Sequence, residues 1–318
     1  MRQPEEFAKE GKEHMVCKLD KAIYGFEENI ADQCIYLKTC GSRFIFLVLQ
    51  VGDILLAIND HNLLKDTKEL LSNNFEIKDL GEVVFVLGIE IQRGRAQGLL
   101  SMSQKTYIER ILKRFDMSMC FGQKVPLAKG DLKKEHYPKS KEEEEKMRNK
   151  RYASLVGSIM YAQVCTRPDP ALCISKMGIF QSNPGMQHWI AGKKILRYVQ
   201  RTKAYMLIYR CTENLELVGY VGANFGKAED DYISTSGFLF KMAGAAVAWK
   251  TAKQSGVSSS TIFSKYIAFY KATSHAVWLR NFIKDIKVVD SISRPIRIYN
   301  DNTAAVFHCM NNKISSIL

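Results

Sequence analysis

The chain has 318 residues, of which 46% are hydrophobic, 25% charged and 10% aromatic. At roughly 100 to 200 residues per domain this gives room for about two domains with cores of their own, and it excludes both a stapled miniprotein and a disordered tail. Lys and Arg number 46 against 33 Asp and Glu, and the net +13 favours a polyanionic partner such as nucleic acid.

The 8 cysteines include no C-x-x-C pair and no Cys/His cluster at zinc-ligand spacing, so they read as free thiols of an intracellular protein, cytoplasmic or nuclear. No basic-then-apolar leader opens the sequence. The longest apolar run, Phe44 to Ile58, is interrupted by Gln50, Gly52 and Asp53, which is too short for a membrane span. A soluble protein without a membrane partner is expected.

Two apolar runs, Phe44 to Val51 and Ile54 to Ile58, are separated by Gly52-Asp53. This pattern predicts a hairpin with a type II′ turn and Gly52 at the position of positive φ. A helix is expected over Asn62 to Asn74, with Leu63, Leu64, Thr67, Leu70 and Leu71 on one face. Val83 to Gln92 reads as one strand, turning through Gly94 to Gly98 into Leu99 to Met102. Ser103 then caps a helix whose buried stripe is Tyr107, Ile108, Ile111, Leu112 and Phe115.

From Ala128 to Lys150, 14 of 23 residues are charged, which leaves no apolar face to bury and reads as a solvated linker or exposed helix between two halves. Beyond it, Tyr152 to Cys165 and Asp169 to Gln181 look helical. Asn183-Pro184 starts a helix reaching about Thr202. MLIYR, LELVGYV, GFLFKM and AAVAWK have a period of two and read as a four-stranded meander. Helices over Thr261 to Ser274 and His275 to Ile286, a strand Ile296 to Tyr299 and a last helix after Asn302 follow. The expected fold class is α/β or α+β, with a three-layer second half.

The segments QPEEF, VCKLDKAIYGF, FIFLVLQVGDILLAIND, FVLGIEIQR, LLSMSQKTYIERILKRFDM, YASLVGSIMYAQVCTRPD, SNPGMQHWIAGKKILRYVQ, YISTSGFLF, AVAWKTAKQS, AVWLRNF and IYNDNTAAV span nearly the whole chain. Together they resemble the Pol polyprotein of copia-type LTR retrotransposons. The resemblance implies a partial reverse transcriptase palm and thumb (1–127), a charged linker (128–150), a helical connection (151–204) and a C-terminally truncated ribonuclease H-like domain (205–318). It also implies Mg²⁺ as the family cofactor, with RNA, DNA or their hybrid as partner. In the family at large a catalytically silent chain can be structural, which implies pairing with an intact Pol chain.

The sites depart from the family pattern. Both reactions need two metals held by carboxylates. The family's Tyr-Val-Asp-Asp appears as Gln50-Val51-Gly52-Asp53, leaving Asp53 alone, although a plain hairpin turn would look the same. The segment with the family's other metal-binding Asp lies upstream of Gln3-Pro4-Glu5 and is absent. A stretch resembling the incoming-nucleotide contact is missing after Gly25-Phe26.

In the ribonuclease H motifs Gly222 and Asn224 replace both acids of the first, Lys265 replaces the Glu of the second, and Asp301 alone matches. The chain stops at Leu318, before the family's closing His and acidic segment. No metal site is intact, and the expectation is a chain that catalyses neither reaction. The alternatives are a non-catalytic nucleic-acid-binding module and a decayed reading frame without selected function.

Lys193, Lys194, Arg197 and Arg201 on the helix after Pro184, with Lys105, Arg110, Lys113 and Arg114 on the thumb-like helix, either track phosphates or form solvated faces. Trp189, Trp249 and Trp278 read as core residues, His188 and His275 as structural histidines, and Ser258 to Thr261 as a helix cap.

Overall fold

The computed structural model describes residues 25–128, 130–213, 215–226, 232–287, 292 and 294–310. The chain splits into two compact units. The first runs to Gly81 and takes in Asn281–Val288, and the second begins at Glu82.

In the first unit β1 (Glu27–Glu28), β2 (Ile35–Cys40), β3 (Arg43–Gln50) and β4 (Asp53–Ile58) form an antiparallel sheet in that order, followed by α1 (His61–Asn74). Alternation puts Ile45 and Leu47 of β3 on one face with no exposure at all. The buried residues of α1, Leu63, Thr67 and Leu71, repeat at i, i+4 and i+8, so one stripe is covered. Asp60 caps the helix by accepting the Leu63 N–H at 2.9 Å. Strand β2 was not anticipated from the sequence. It joins β3 through Gly41-Ser42, and Gly41 has φ 64.

The second unit opens with β5 (Phe85–Val86), β6 (Ile89–Gly94) and β7 (Leu99–Ser103). The single strand expected over Val83 to Gln92 is a hairpin. Leu87 (φ 49) and Gly88 (φ 72) both have positive φ, as a type I′ turn requires, and fold β5 back on β6. After β7 comes α2 (Lys105–Arg114), with Gln104 rather than Ser103 at its N-cap position. The Ser103 hydroxyl accepts the Lys105 N–H at 3.2 Å.

Then follow α3 (Lys141–Arg148), α4 (Tyr152–Cys165), α5 (Ala171–Ile179) and α6 (Met186–Arg201). Ile108, Ile111, Leu112 and Phe115 of the α2 stripe meet Leu155, Val156 and Ile159 of α4, Ile174 and Met177 of α5, and Ile195, Leu196 and Val199 of α6 in one buried cluster. Tyr107 sits at its margin and its hydroxyl donates to the Ser158 carbonyl. Gly192 belongs to this core because a Cβ there would lie 2.4 Å from Leu155 Cδ2.

Within the charged stretch α3 is the expected exposed helix, with Met147 its one buried residue, and the described part of the stretch is also anchored at several points. Met147 is buried in the cluster, the Asp131 carboxylate pairs with Lys194, and the His188 ring, fully buried, bonds the Lys133 carbonyl at 2.9 Å. The other ring nitrogen of His188 accepts the Gly185 N–H, and Phe180 stacks on the ring with centroids 4.1 Å apart. His188 is thus a satisfied structural residue. Composition hid this anchoring because a few apolar and backbone contacts suffice to dock a polar segment.

Gly185 makes the close approach possible, since a Cβ would fall 1.8 Å from the His136 carbonyl oxygen. Gly185→Ala is expected to lower stability by about 1–3 kcal/mol through that clash, read as a lower urea midpoint with an unchanged slope.

The strand β8 (Met206–Arg210) does not begin the expected meander. It pairs with β7, completing a sheet of order β5-β6-β7-β8. The meander is β9 (Val218–Asn224), β10 (Ile233–Met242) and β11 (Ala245–Val257), all antiparallel. The two helices expected over Thr261 to Ile286 are one, α7 (Thr261–Asp285), capped by the Ser260 hydroxyl, which accepts the Phe263 N–H at 3.1 Å. Then β12 (Arg297–Asn300) returns parallel to β9 and α8 (Thr303–Met310) follows, giving the order β11-β10-β9-β12. Ala268 and Ala272, four residues apart, let α7 lie close against Val221. Trp249 donates to the Gln163 carbonyl, whereas Trp278 stacks on His275 and stays 46% exposed, so it is not a core residue.

Candidate metal sites and nucleic-acid interface

At the β3–β4 hairpin the paired residues closing the turn are Gln50 and Asp53, so the central residues are Val51 and Gly52. The positive φ falls on Val51 (φ 55), not on Gly52. Hairpin twist demands that sign at the first central residue, and the turn lies one residue upstream of the predicted one. A β-branched residue there is strained. Because Val51 is fully exposed, Val51→Asn is expected to raise stability by about 1 kcal/mol, checked by thermal unfolding.

Asp53 begins β4 and is exposed, and a Cβ on Gly52 would meet nothing within 4 Å. The position once expected to be acidic is therefore an empty surface point beside one carboxylate. Among the described residues Asp53 is the carboxylate of this turn, and one exposed carboxylate does not hold two Mg²⁺ ions, so the turn residues by themselves do not fit the family metal.

In the second group of positions Lys265 and Asp301 meet. Strand β12 pairs in parallel with β9, with Asn300 opposite Val221, so Asp301 comes level with Gly222. From α7 the Lys265 ammonium donates to Asp301 Oδ1. The lysine side chain is 12% exposed and the carboxylate 74%, so the cation reaches out from a largely buried stem. The hydrogen bond from Lys265 holds the Asp301 carboxyl below its ordinary range. Gly222 has open space where a Cβ would be, and Asn224 is exposed at the end of β9. This site is an ion pair of zero net charge, and its donor set does not fit Mg²⁺. Among the described residues no group of three or more His, Cys, Asp or Glu side chains could hold a metal.

The basic candidates divide. Lys194 is taken by Asp131, Lys193 reaches the Phe115 carbonyl at 3.4 Å and lies over the Trp189 ring, and Arg114 donates to the Ser158 hydroxyl. Arg110 lies over the Tyr107 ring. Lys105 and Lys113 on α2, and Arg197 and Arg201 on α6, remain exposed. The helix–helix contact between α2 and α6 places both sets on one unit.

Sequence reading missed Arg167, taking Arg167-Pro168 only as a break between helices. Its guanidinium is 2% exposed and grips the Asp169 carboxylate through Nε at 2.9 Å and Nη2 at 2.7 Å. It also donates to the Thr202 carbonyl at 3.1 Å and hydroxyl at 2.6 Å. The Tyr198 hydroxyl donates to the same carboxylate, and burial together with that carboxylate pushes the phenol up to about 12. The only hint in the sequence is a charged pair flanking a proline between apolar helices.

No helix among the described residues is long and apolar enough to cross a membrane. The family model for reverse transcriptase (RNA-dependent DNA polymerase) matches residues 25–129. The chain is 37% identical over 309 residues to the retrovirus-related Pol polyprotein from transposon TNT 1-94 of Nicotiana tabacum, covering 90% of this chain and 23% of that protein. It is 29% identical over 331 residues to the corresponding polyprotein from transposon RE1 of Arabidopsis thaliana, covering 98% of this chain and 22% of the relative. A shorter relative, secreted RxLR effector protein 161 of Plasmopara viticola, is 42% identical over 133 residues, which is 42% of this chain and 94% of that protein. No solved structure matches. The chain spans less than a quarter of the length of the two Pol relatives, yet nine-tenths or more of it aligns with them. It therefore belongs to the copia-type retrotransposon Pol polyproteins, with a reverse transcriptase region at residues 25–129.

Proposed function

We propose that this chain is a catalytically silent piece of retrotransposon Pol, reverse transcriptase followed by a ribonuclease H-like part within 205–318, that binds nucleic acid by charge. The observation that carries the proposal is the ion pair between Lys265 and Asp301, beside Gly222. A tethered ammonium occupies the place where the resemblance puts a metal-binding carboxylate, and it would repel Mg²⁺. The palm turn supports the same conclusion with its single carboxylate, Asp53. Binding then needs no metal and depends on the net +13 and on the exposed Lys105, Lys113, Arg197 and Arg201.

Purified protein with Mg²⁺ or Mn²⁺ is expected to extend no primer and cleave no RNA–DNA hybrid in gel assays. It is expected to bind hybrid with a steep salt dependence that chelation leaves unchanged. Primer extension or hybrid cleavage above background would overturn the silence, and Gly52→Asp alone should not restore extension. Absence of binding at low salt would overturn the binding module and favour a decayed reading frame. The buried cluster joining α2, α4, α5 and α6 supports a folded protein, for which a cooperative thermal transition is expected. The reading includes an intracellular location and pairing with an intact Pol chain, tested by co-purification of the two.

A further inference from the structure

The loop after α2 presents two large apolar side chains to water, Met119 at 96% and Phe121 at 94% exposure. Their backbone is nevertheless fixed. Met117 N–H bonds the Leu112 carbonyl at 2.8 Å and its side chain is buried, which closes the C-terminal end of α2. Beyond it the Gln200 amide donates to the Ser118 carbonyl at 3.0 Å, and Gln123 N–H donates to the Arg197 carbonyl at 3.2 Å. Gly122 rests on α6 so closely that a Cβ would lie 2.8 Å from Arg201 Cβ. The loop therefore crosses α6 at Arg197 and Arg201, which are one helical turn apart and exposed, and Lys124 follows, also exposed. An exposed aromatic residue in a loop that crosses two exposed arginines and precedes an exposed lysine is an unusual surface for a protein to maintain without a ligand.

We propose that this loop and α6 bind single-stranded nucleic acid, with one base stacked on Phe121 and phosphates on Arg197, Arg201 and Lys124. The proposal deepens the nucleic-acid-binding reading above and rests on it. The charge excludes a cationic partner. The exposed ring offers the π-face that unpaired bases seek, while bases inside a duplex are already stacked. The fixed loop means that little ordering entropy is lost on binding.

The test is fluorescence anisotropy on the full chain with a labelled 12-nucleotide oligo-dT and oligo-U across a salt series. Phe121→Ala is expected to weaken binding about tenfold without changing the salt slope, and Phe121→Leu to behave the same way. Phe121→Trp should retain affinity and show its emission quenched by the oligonucleotide. Arg197→Ala and Arg201→Ala should each lower the salt slope by about 0.7. Wild-type affinity in Phe121→Ala would overturn this site while leaving the binding module standing, as would full affinity in Phe121→Leu, which would point to an apolar protein contact. Failure of the wild-type chain to bind any oligonucleotide or hybrid at low salt would overturn the proposed function as well.

Discussion

Arg167→Ala is expected to destabilise the larger unit by about 3–5 kcal/mol, because it removes one partner of a buried ion pair and leaves the other behind. Three groups lose the Arg167 donors together: the Asp169 carboxylate, the Thr202 carbonyl and the Thr202 hydroxyl. The value should fall near the lower end of the range, because the Asp169 side chain is 30% exposed and keeps the Tyr198 hydroxyl. A urea titration of wild type and variant checks it. The double variant with Asp169→Asn should lose less than the two single changes summed, since the two residues share one network.

The same network sets an acid dependence. Burial alone would raise the Asp169 carboxyl, but the hydrogen bonds and charge of Arg167, with the bond from Tyr198, outweigh it and hold the group below its ordinary 3.8. A carboxyl depressed in the folded state contributes its full stability above the unfolded value and loses it as pH falls through the folded one. Wild-type stability should therefore drop more steeply below about pH 4 than that of Arg167→Ala, in which this contribution is gone. Equal slopes for the two proteins would show that the pair is not the acid-sensitive element.

The second large effect is expected at the converging positions of β9, α7 and β12. Combining Gly222→Asp with Lys265→Glu replaces an ion pair by three neighbouring carboxylates, and the open space at Gly222 admits the new side chain. In the metal-free state their mutual repulsion should raise the Asp301 carboxyl, which Lys265 now depresses, and lower the unfolding midpoint. Mg²⁺ should reverse this, and at a hundredfold excess over its dissociation constant the gain is about 2.7 kcal/mol. The wild-type chain should show no such Mg²⁺ shift. Thermal unfolding with and without Mg²⁺, together with titration calorimetry, reads both outcomes. A double variant indifferent to Mg²⁺ would mean that the three positions do not form one site.

Local regularities explain what was legible in the sequence. The α2 stripe Ile108, Ile111, Leu112 and Phe115 was readable because 3.6-residue periodicity reports burial directly, and the end of α4 at Cys165 because Arg167-Pro168 follows it. The turn rule that placed positive φ at Gly52 fits Gly41-Ser42 instead, where Gly41 does occupy the left-handed region. At the β3–β4 hairpin the strand register forced the same φ onto Val51, a residue no propensity rule would choose. The break at Leu87-Gly88 was hidden because Leu87 continues an apolar run and gives no turn signal.

The sequence by itself determined the family and the faces of the main helices. These follow from the identity and spacing of side chains along the chain. Only the tertiary structure decided that β8 pairs with β7, that Lys133 and Met147 anchor the charged stretch, and that Lys265 closes on Asp301 beside Gly222. Alternation fixes which way a strand's side chains point but not which strand lies beside it. An ion pair between residues 36 positions apart exists only once the sheet has set β12 against β9 and α7 has packed across them.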